Sequence, residues 1–212
     1  MTNGPVPSSN TGTCRLCLNT RPLVNSHIIP DFQFKPLKKV DGRFHWLSPD
    51  PEVKDRTGQK GFTERLFCAE CDNERLQKNE AYFAQLWSGG YLPNTAQTKR
   101  FLIFRDHDYK RTKNYLLSIL WRMSICSREV FREVSLGEKH EEILRAGLLA
   151  DREFGEDEYA VTVTAAFIDG KFYDDFILQP DSHRLHATGF TAASSPGCST
   201  HSSWGRRRSF PS

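Results

Sequence analysis

The first helix that the sequence predicts begins just after Cys71. Apolar residues recur there at roughly helical intervals, with charged residues between them. These apolar positions are Leu76, Tyr82, Phe83, Leu86 and Trp87. Gly89, Gly90 and Pro93 follow, and because glycine and proline are unfavourable inside helices, they predict where this helix ends.

A second, more apolar helix is predicted to begin near Arg111. Its apolar positions recur every three or four residues, which is the spacing of one helix face. They are Leu116, Leu117, Leu120, Met123 and then Cys126 or Val130. A face this apolar predicts a central helix on which the core is built.

A third helix is predicted to start near Ser135 or Gly137. Acidic residues fall early in it, at Glu138, Glu141 and Glu142, where the helix dipole favours negative charge.

A β-hairpin is predicted beyond the third helix. In residues 159–178, β-branched and aromatic residues alternate on both sides of Asp169 and Gly170, a pair that favours a type I′ turn. Both ends of the chain are predicted to be disordered, residues 1–13 as a short lead and residues 187–212 as a tail rich in Ser, Thr, Gly and Pro.

Composition is consistent with a folded, soluble protein. Hydrophobic residues make up 38% of the 212 positions and charged residues 26%. No segment approaches the roughly 20 apolar residues that a membrane-spanning helix needs, and the N-terminus lacks the basic start and apolar run of a secretory signal. We therefore predict a cytoplasmic protein with reduced thiols and no membrane partner. The net charge of +3 permits a basic surface without predicting one.

The cysteines predict a metal site. Four of the six form two Cys-x-x-Cys pairs, Cys14 with Cys17 and Cys68 with Cys71. In a reducing compartment this spacing favours zinc over disulfides, and four thiolates close the tetrahedral shell of a structural Zn²⁺. The long insert between the pairs adds little closure entropy. The alternative is that the two pairs arose by chance.

The segments around the two pairs resemble a known family. VNSHIIPDF places His27 before an apolar pair and a proline, and GFTERLFCAECDNERLQKNE leads from the second cysteine pair into the first helix. These motifs resemble the zinc-containing HNH endonucleases, the His-Me finger group with a ββα-metal core. The resemblance covers about residues 14–80 and is nearest to bacterial HNH-like proteins with "SHIIP" and "LxCxxC" segments, some of them associated with anti-phage defence. It implies a zinc-stapled, treble-clef-like ββα module.

The resemblance also implies roles for individual residues. His27 stands where the family has its general base, and Asp72 stands where a metal-binding His usually lies. Phosphodiester hydrolysis needs a base to deprotonate water and a cation to neutralise charge on the phosphate. An imidazole, with an ordinary pKa of about 6.5, can accept that proton. An Asp oxygen suits Mg²⁺ or Mn²⁺.

The chain departs from the family pattern at two positions. Ser26 occupies the place of the usual Asp or His metal ligand, and Thr63 lies where the central Asn would fall. Asn73 and Glu80, seven residues apart, are predicted to share one helix face and to supply what is missing. The alternatives are a structural role for His27, either hydrogen-bonded or as a zinc ligand, an N-cap at Asp72 and a solvated helix face.

A basic segment precedes the second helix and has aromatic residues interleaved with it. Basic and aromatic side chains together can contact phosphates and stack on bases. The alternative is a surface segment whose aromatics anchor it to the core. The candidate nucleic-acid contacts are Lys99, Arg100, Arg105, Lys110 and Arg111.

The sequence therefore predicts an α+β protein. Its zinc module is expected at residues 14–90, and a helical region with the β-hairpin packed on it at 91–186. The predicted function is metal-dependent hydrolysis of DNA, or alternatively RNA, by an HNH-type endonuclease with structural Zn²⁺ and catalytic Mg²⁺ or Mn²⁺. The alternatives are a non-catalytic zinc module that binds nucleic acid or a protein, and a subunit that works beside an ATPase or sensor.

Overall fold

The computed structural model describes residues 10–38, 41–46, 52, 54, 56–87, 95–97, 102–104, 106–161, 166–168 and 171–173. The described helices are α1 (Asp31–Phe34), α2 (Gln77–Trp87), α3 (Tyr109–Ile125) and α4 (Glu138–Leu149), with a π-helical turn at Cys71–Leu76 and a 3₁₀ turn at Glu129–Phe131. The described strands are β1 (Thr11–Thr13), β2 (Thr20–His27), β3 (Phe44–Trp46), β4 (Arg56–Gly58), β5 (Thr63–Cys68), β6 (Thr95–Gln97), β7 (Leu102–Phe104), β8 (Ala166–Ile168) and β9 (Lys171–Tyr173). The predicted α+β class is confirmed.

A three-stranded antiparallel sheet in the order β1–β2–β5 organises the first half of the chain. Leu23 lies opposite Cys68 at one end of the β2–β5 ribbon, and His27 lies opposite Thr63 at the other. The register shifts between Val24 and Ser26, so the ribbon contains a bulge between its two ends.

Strand β1 lies inside the segment that the sequence predicted to be a disordered lead, and for residues 11–13 that prediction is wrong. Thr11 pairs with Pro22 and Thr13 with Thr20. The amide of Leu23 also donates to the carbonyl of Asn10 at 2.9 Å. The short polar segment has little strand signal of its own, and its order comes from pairing with β2.

The three predicted helices are present. The first begins as the π-helical turn at Cys71 and continues as α2. Helix α3 is capped by Asp108, whose carboxylate accepts from the amide of Arg111 at 3.0 Å. Helix α4 has Gly137 at its N-cap, with φ of 74°, a conformation that glycine adopts at little cost.

Helix α3 is the centre of the core, as its apolar spacing predicted. Every residue from 113 to 123 is buried, as expected of a helix that other elements cover on all sides. Trp121 stacks on Phe67 of β5, with ring centroids 5.6 Å apart. The sheet and the helical half therefore share one set of packed side chains.

Strands β8 and β9 pair antiparallel, with Ile168 opposite Lys171. Asp169 and Gly170, the predicted type I′ turn, lie outside the described residues, as does the tail at 187–212. Among the described helices, none has both the length and the apolar character that crossing a bilayer requires.

Candidate metal centre and histidine site

The four predicted zinc ligands come together in space. Cys14 and Cys17 lie in the turn between β1 and β2, Cys68 ends β5, and Cys71 starts the π-helical turn. Their Sγ atoms all lie within 4.8 Å of one another. A tetrahedral zinc with Zn–S bonds of about 2.3 Å separates its sulfurs by about 3.8 Å, and the Cys17 and Cys68 Sγ atoms are 4.0 Å apart. The donor set and its spacing fit zinc, and all four cysteines are free of disulfides.

The first cysteine pair is shaped by backbone hydrogen bonds. The amide of Leu18 donates to the carbonyl of Cys14 at 2.8 Å, and the amide of Cys14 donates to the carbonyl of Asn19 at 3.0 Å. Leu18 has a φ of 63°, a left-handed conformation that is uncommon outside glycine. The amide of Cys68 also donates to Sγ of Cys14 at 3.4 Å. These hydrogen bonds fix the turn in which the Sγ atoms of Cys14 and Cys17 lie close to those of the second pair.

The environment of the thiols affects their protonation unequally. Burial raises the pKa of Cys14 and Cys71 above the ordinary value of a thiol. Burial acts in the same direction on Cys17, but a hydrogen bond from the backbone of Asn19 and contacts with the other cysteines outweigh it and lower its pKa. Zinc binds thiolates, so loading this cluster must release protons.

Arginines surround the cysteine cluster. Glu70 accepts from Arg21 at 2.7 Å and from Arg75 at 2.9 Å, and the pKa of Arg21 is raised first by Glu70 and further by the charges of Cys68 and Cys17. A zinc ion with four thiolates carries a net charge of about −2, which nearby guanidinium groups offset.

Helix α4 also contacts the cysteine turn. Arg145 donates from Nη1 to the carbonyl of Leu16 at 2.7 Å, and its other donors bind Glu142. Leu16 is fully buried between the two cysteines of the first pair. The helical half therefore contributes to the packing around the cluster.

His27 lies at the opposite end of the same ribbon from the cysteines. His27 comes four positions after Leu23, the residue opposite Cys68, and four positions span about 13 Å along a strand. The amide of Ile28 donates to the carbonyl of Phe62 at 2.9 Å, so His27 and Thr63 form a non-hydrogen-bonded pair. In such a pair the side chains are close, with Cβ atoms about 4.5–5.5 Å apart. Thr63 is therefore the immediate cross-strand neighbour of the half-buried His27.

The carbonyls of such a pair point outward from the ribbon, and an arginine binds each one. Arg122 of α3 donates from Nη1 to the carbonyl of His27 at 3.0 Å. On the other side, Arg128 donates from Nη2 to the carbonyl of Thr63. Arg122 also contacts Oε2 of Glu80 through Nη1 at 3.3 Å. The end of the ribbon is thus held on both sides.

The predicted helix residues Asp72, Asn73 and Glu80 have different surroundings. Asp72 follows Cys71 directly, at the cysteine end of the ribbon, and its role as a ligand of the divalent ion stays a prediction. Asn73 is exposed, whereas Glu80 contacts the buried Arg122. A π-helical turn at Cys71–Leu76 lies between Asn73 and Glu80 and changes the helical period on which the seven-residue spacing was based. Of these residues, Glu80 is the one beside the His27 end.

Ser26 stands at the position of the family's usual metal ligand. Its side chain is fully buried on the inner side of β2, and its Oγ has no hydrogen-bond partner among the described atoms. Beyond the four cysteines, the described residues contain no second group of three or more His, Cys, Asp or Glu side chains spaced to hold a metal ion.

The predicted basic segment is only partly described. Lys99, Arg100 and Arg105 lie outside the described residues. Lys110 pairs with Asp151 at 3.0 Å. Arg111, the last of the five, pairs with a carboxylate one turn away and lies over an aromatic ring. Both described members of the segment therefore have structural contacts.

A cavity of about 410 Å³ lies elsewhere, between the C-terminal part of α2 and the N-terminal part of α3. Its lining includes Phe83, Trp87, Tyr109, Lys113 and Leu116. It includes neither His27 nor any of the cysteines, so it is separate from the two sites described above.

Sequence reasoning missed Arg122 and Arg128. Arg122 interrupts an otherwise apolar face, which was a signal that it needed a buried partner. Arg128 lies in a polar connection after α3, where nothing local distinguishes it. Comparison of the chain with protein-family models, with curated proteins and with solved structures finds no match.

Proposed function

We propose that this protein is an HNH-type endonuclease in which His27 is the general base. The observation that carries the proposal is the position of His27 at the end of β2, beside Thr63 and at the far end of the ribbon from the cysteine cluster. The two antiparallel strands lead directly into a helix, as a ββα module requires. His27 is only half-buried, and the proposal requires that its imidazole be reached by water and substrate.

The chemistry is hydrolysis of a phosphodiester. His27 takes a proton from water, the water oxygen bonds to phosphorus, and the bond from phosphorus to the leaving ester oxygen breaks. A solvent water protonates the leaving oxygen. A bound Mg²⁺ or Mn²⁺ would neutralise charge on the phosphate. Zinc held by four cysteines has no open position, and its role in the proposal is structural.

Glu80 is a better candidate ligand for the divalent ion than Asp72. It shares one nitrogen of Arg122 with the carbonyl of His27, whereas Asp72 lies at the cysteine end. The positive charge of Arg122 weakens the attraction of Glu80 for a metal. We therefore propose that the ion binds weakly to the free protein and is retained together with the phosphate.

The experiment compares the unaltered chain with His27→Ala and with His45→Ala, an exposed histidine on β3. Plasmid DNA and a structured RNA are incubated with Mg²⁺, Mn²⁺ or EDTA after zinc content has been matched. We expect cleavage that requires the divalent ion, falls about 10²–10⁴-fold in His27→Ala and is unchanged in His45→Ala. No cleavage by the folded, zinc-loaded protein, or full activity in His27→Ala, would overturn the proposal.

The second candidate function is a non-catalytic zinc module that binds nucleic acid or a protein. The buried Ser26 and the pairing of Glu80 with Arg122 favour it, because both reduce the ligands available to a catalytic ion. Such a module would bind in EDTA as well as in Mg²⁺ and would be insensitive to His27→Ala. The DNA preference, the ATPase or sensor partner and the defence role remain predictions from the resemblance.

A further inference from the structure

Arg128 lies at the His27 end of the ribbon. It follows α3, just before the 3₁₀ turn at Glu129–Phe131, and its Nη2 donates to the outward-pointing carbonyl of Thr63. Thr63 is the cross-strand partner of His27, so the guanidinium lies at the outer edge of β5, level with the proposed general base on the neighbouring strand.

The charge of Arg128 is only partly compensated. Among the described residues, the carboxylate that pairs with Arg128 is that of Glu64, whose Oε2 lies 3.9 Å from Nε. The same Oε2 atom accepts from the amide of Ser127 at 2.9 Å. A guanidinium has five N–H donors, so the contacts of Arg128 with the Thr63 carbonyl and with Glu64 leave most of these donors available. The side chain of Arg128 is 48% exposed, so those donors can reach a ligand from solvent.

Arg122 offers the contrast. It binds the carbonyl on the other side of the same residue pair, but its side chain is only 2% exposed and its charge faces Glu80. Arg122 can position His27 but cannot meet a substrate. Of the two arginines that hold the ribbon end, only Arg128 is accessible.

We propose that Arg128 binds a nucleic-acid phosphate beside His27; the inference rests on the proposed action on nucleic acid. The planar fork of a guanidinium matches two oxygens of a phosphate. The carbonyl of Thr63 orients the fork before the substrate arrives, so little ordering remains to be done on binding. In the cleavage reaction Arg128 contacts the phosphate under attack and stabilises the charge that develops on it.

The test measures binding and cleavage separately. A labelled 20-base-pair DNA duplex is titrated over a range of salt concentrations with His27→Ala, which cannot cleave, alone and combined with Arg128→Gln. The matched control is Arg132→Gln, which removes an exposed arginine from the same turn that is paired with Glu129 and Glu133. We expect Arg128→Gln to reduce the slope of log affinity against log salt by about 0.9, the value of one phosphate contact, and the control to leave it unchanged.

Cleavage gives the second readout, with His27 intact. Arg128→Gln is expected to lower kcat about 100-fold, in the range found when one preorganised donor to a transition state is removed. Arg128→Lys keeps the charge without the fork and should restore the salt slope but only part of kcat. Equal zinc content and similar melting temperatures exclude unfolding as the cause.

The outcomes separate the two proposals. If Arg128→Gln changes neither the salt slope of the His27→Ala chain nor the kcat of the chain with His27 intact, this inference is overturned and the nuclease proposal stands. A reduced slope in a chain that never cleaves would support Arg128 as a phosphate contact and overturn the nuclease. A chain that neither binds nor cleaves would overturn both.

Discussion

Arg122 of α3 donates a hydrogen bond at 3.0 Å to the main-chain carbonyl of His27, 95 positions earlier in the chain. The same guanidinium contacts Glu80 of α2 through Nη1 and Nη2, at 3.3 and 3.4 Å. One side chain therefore ties the end of β2 to two helices. The position of His27 is set by the helical half as much as by the sheet.

Replacing Arg122 with Met should destabilise the protein by at most about 3–5 kcal/mol, the cost of removing one partner of a buried ion pair, because the side chain of Glu80 is 25% exposed and solvent offsets part of the loss. Methionine fills much of the same volume, but Glu80 and the carbonyl of His27 lose their donor. Urea unfolding measures the change in the free energy of unfolding. Adding Glu80→Gln should recover part of the loss, because it removes the unpaired charge. A single variant as stable as the unaltered chain would show that the pair contributes little.

Replacing Cys68 and Cys71 by Ser should unfold the first half of the chain, because zinc binding by the two cysteine pairs is expected to stabilise that half. Structural zinc contributes about 10–16 kcal/mol in small modules, which is comparable with the whole stability of a domain. We expect loss of bound zinc and loss of protection from hydrogen exchange across residues 14–87. The matched control is Cys126→Ser, a half-buried cysteine outside the cluster, which should keep its zinc. A zinc-free double variant with normal protection would contradict the prediction.

The sequence predicted the helices and the cysteine cluster, because each is encoded by residues that lie close together in the chain. The spacing of Leu116, Leu120 and Met123 predicted α3 and its burial, because each position contributes to one apolar face regardless of its partners. Cys-x-x-Cys spacing predicted the cluster, because the knuckle turn is encoded within four residues. For the same reason the acidic start after Gly137 predicted α4.

The strand register and the surroundings of His27 could not be predicted, because they depend on contacts between residues that are distant in the chain. The register that puts Thr63 opposite His27 follows from a bulge in β2–β5 pairing, which no local pattern marks. The placement of Glu80 near the His27 carbonyl follows from their shared contact with Arg122 of α3. Arg122 and Arg128 are both positioned by carbonyls more than sixty residues away.

Asp151 offers a test of how the helices are held together, through the pH dependence of stability. It follows α4 in a left-handed conformation with φ of 51°, and its Oδ2 accepts from Lys78 of α2 at 2.8 Å and from Lys110 of α3 at 3.0 Å. Burial alone would raise the pKa of Asp151, but the two lysines outweigh it and hold the pKa below the ordinary value of 3.8.

The lowered pKa fixes the sign of the effect. The unfolded chain takes up the proton more readily, so the stabilisation is complete above pH 3.8 and is lost as the pH falls through the lower pKa of the folded protein. Asparagine tolerates the left-handed conformation, so Asp151→Asn removes the charge with little effect on the backbone.

We expect Asp151→Asn to be less stable than the unaltered chain by about 1 kcal/mol or less at pH 7, a modest value because the carboxylate is 33% exposed and screened by solvent. The difference should shrink towards zero below about pH 4. Urea unfolding at several pH values measures it, with the exposed Glu153→Gln as the control. Because all three proteins have the same cysteine cluster, its acid sensitivity cancels in the comparison. A difference that stays constant down to pH 3 would mean that the substitution acts through the backbone and that the two lysine contacts contribute nothing.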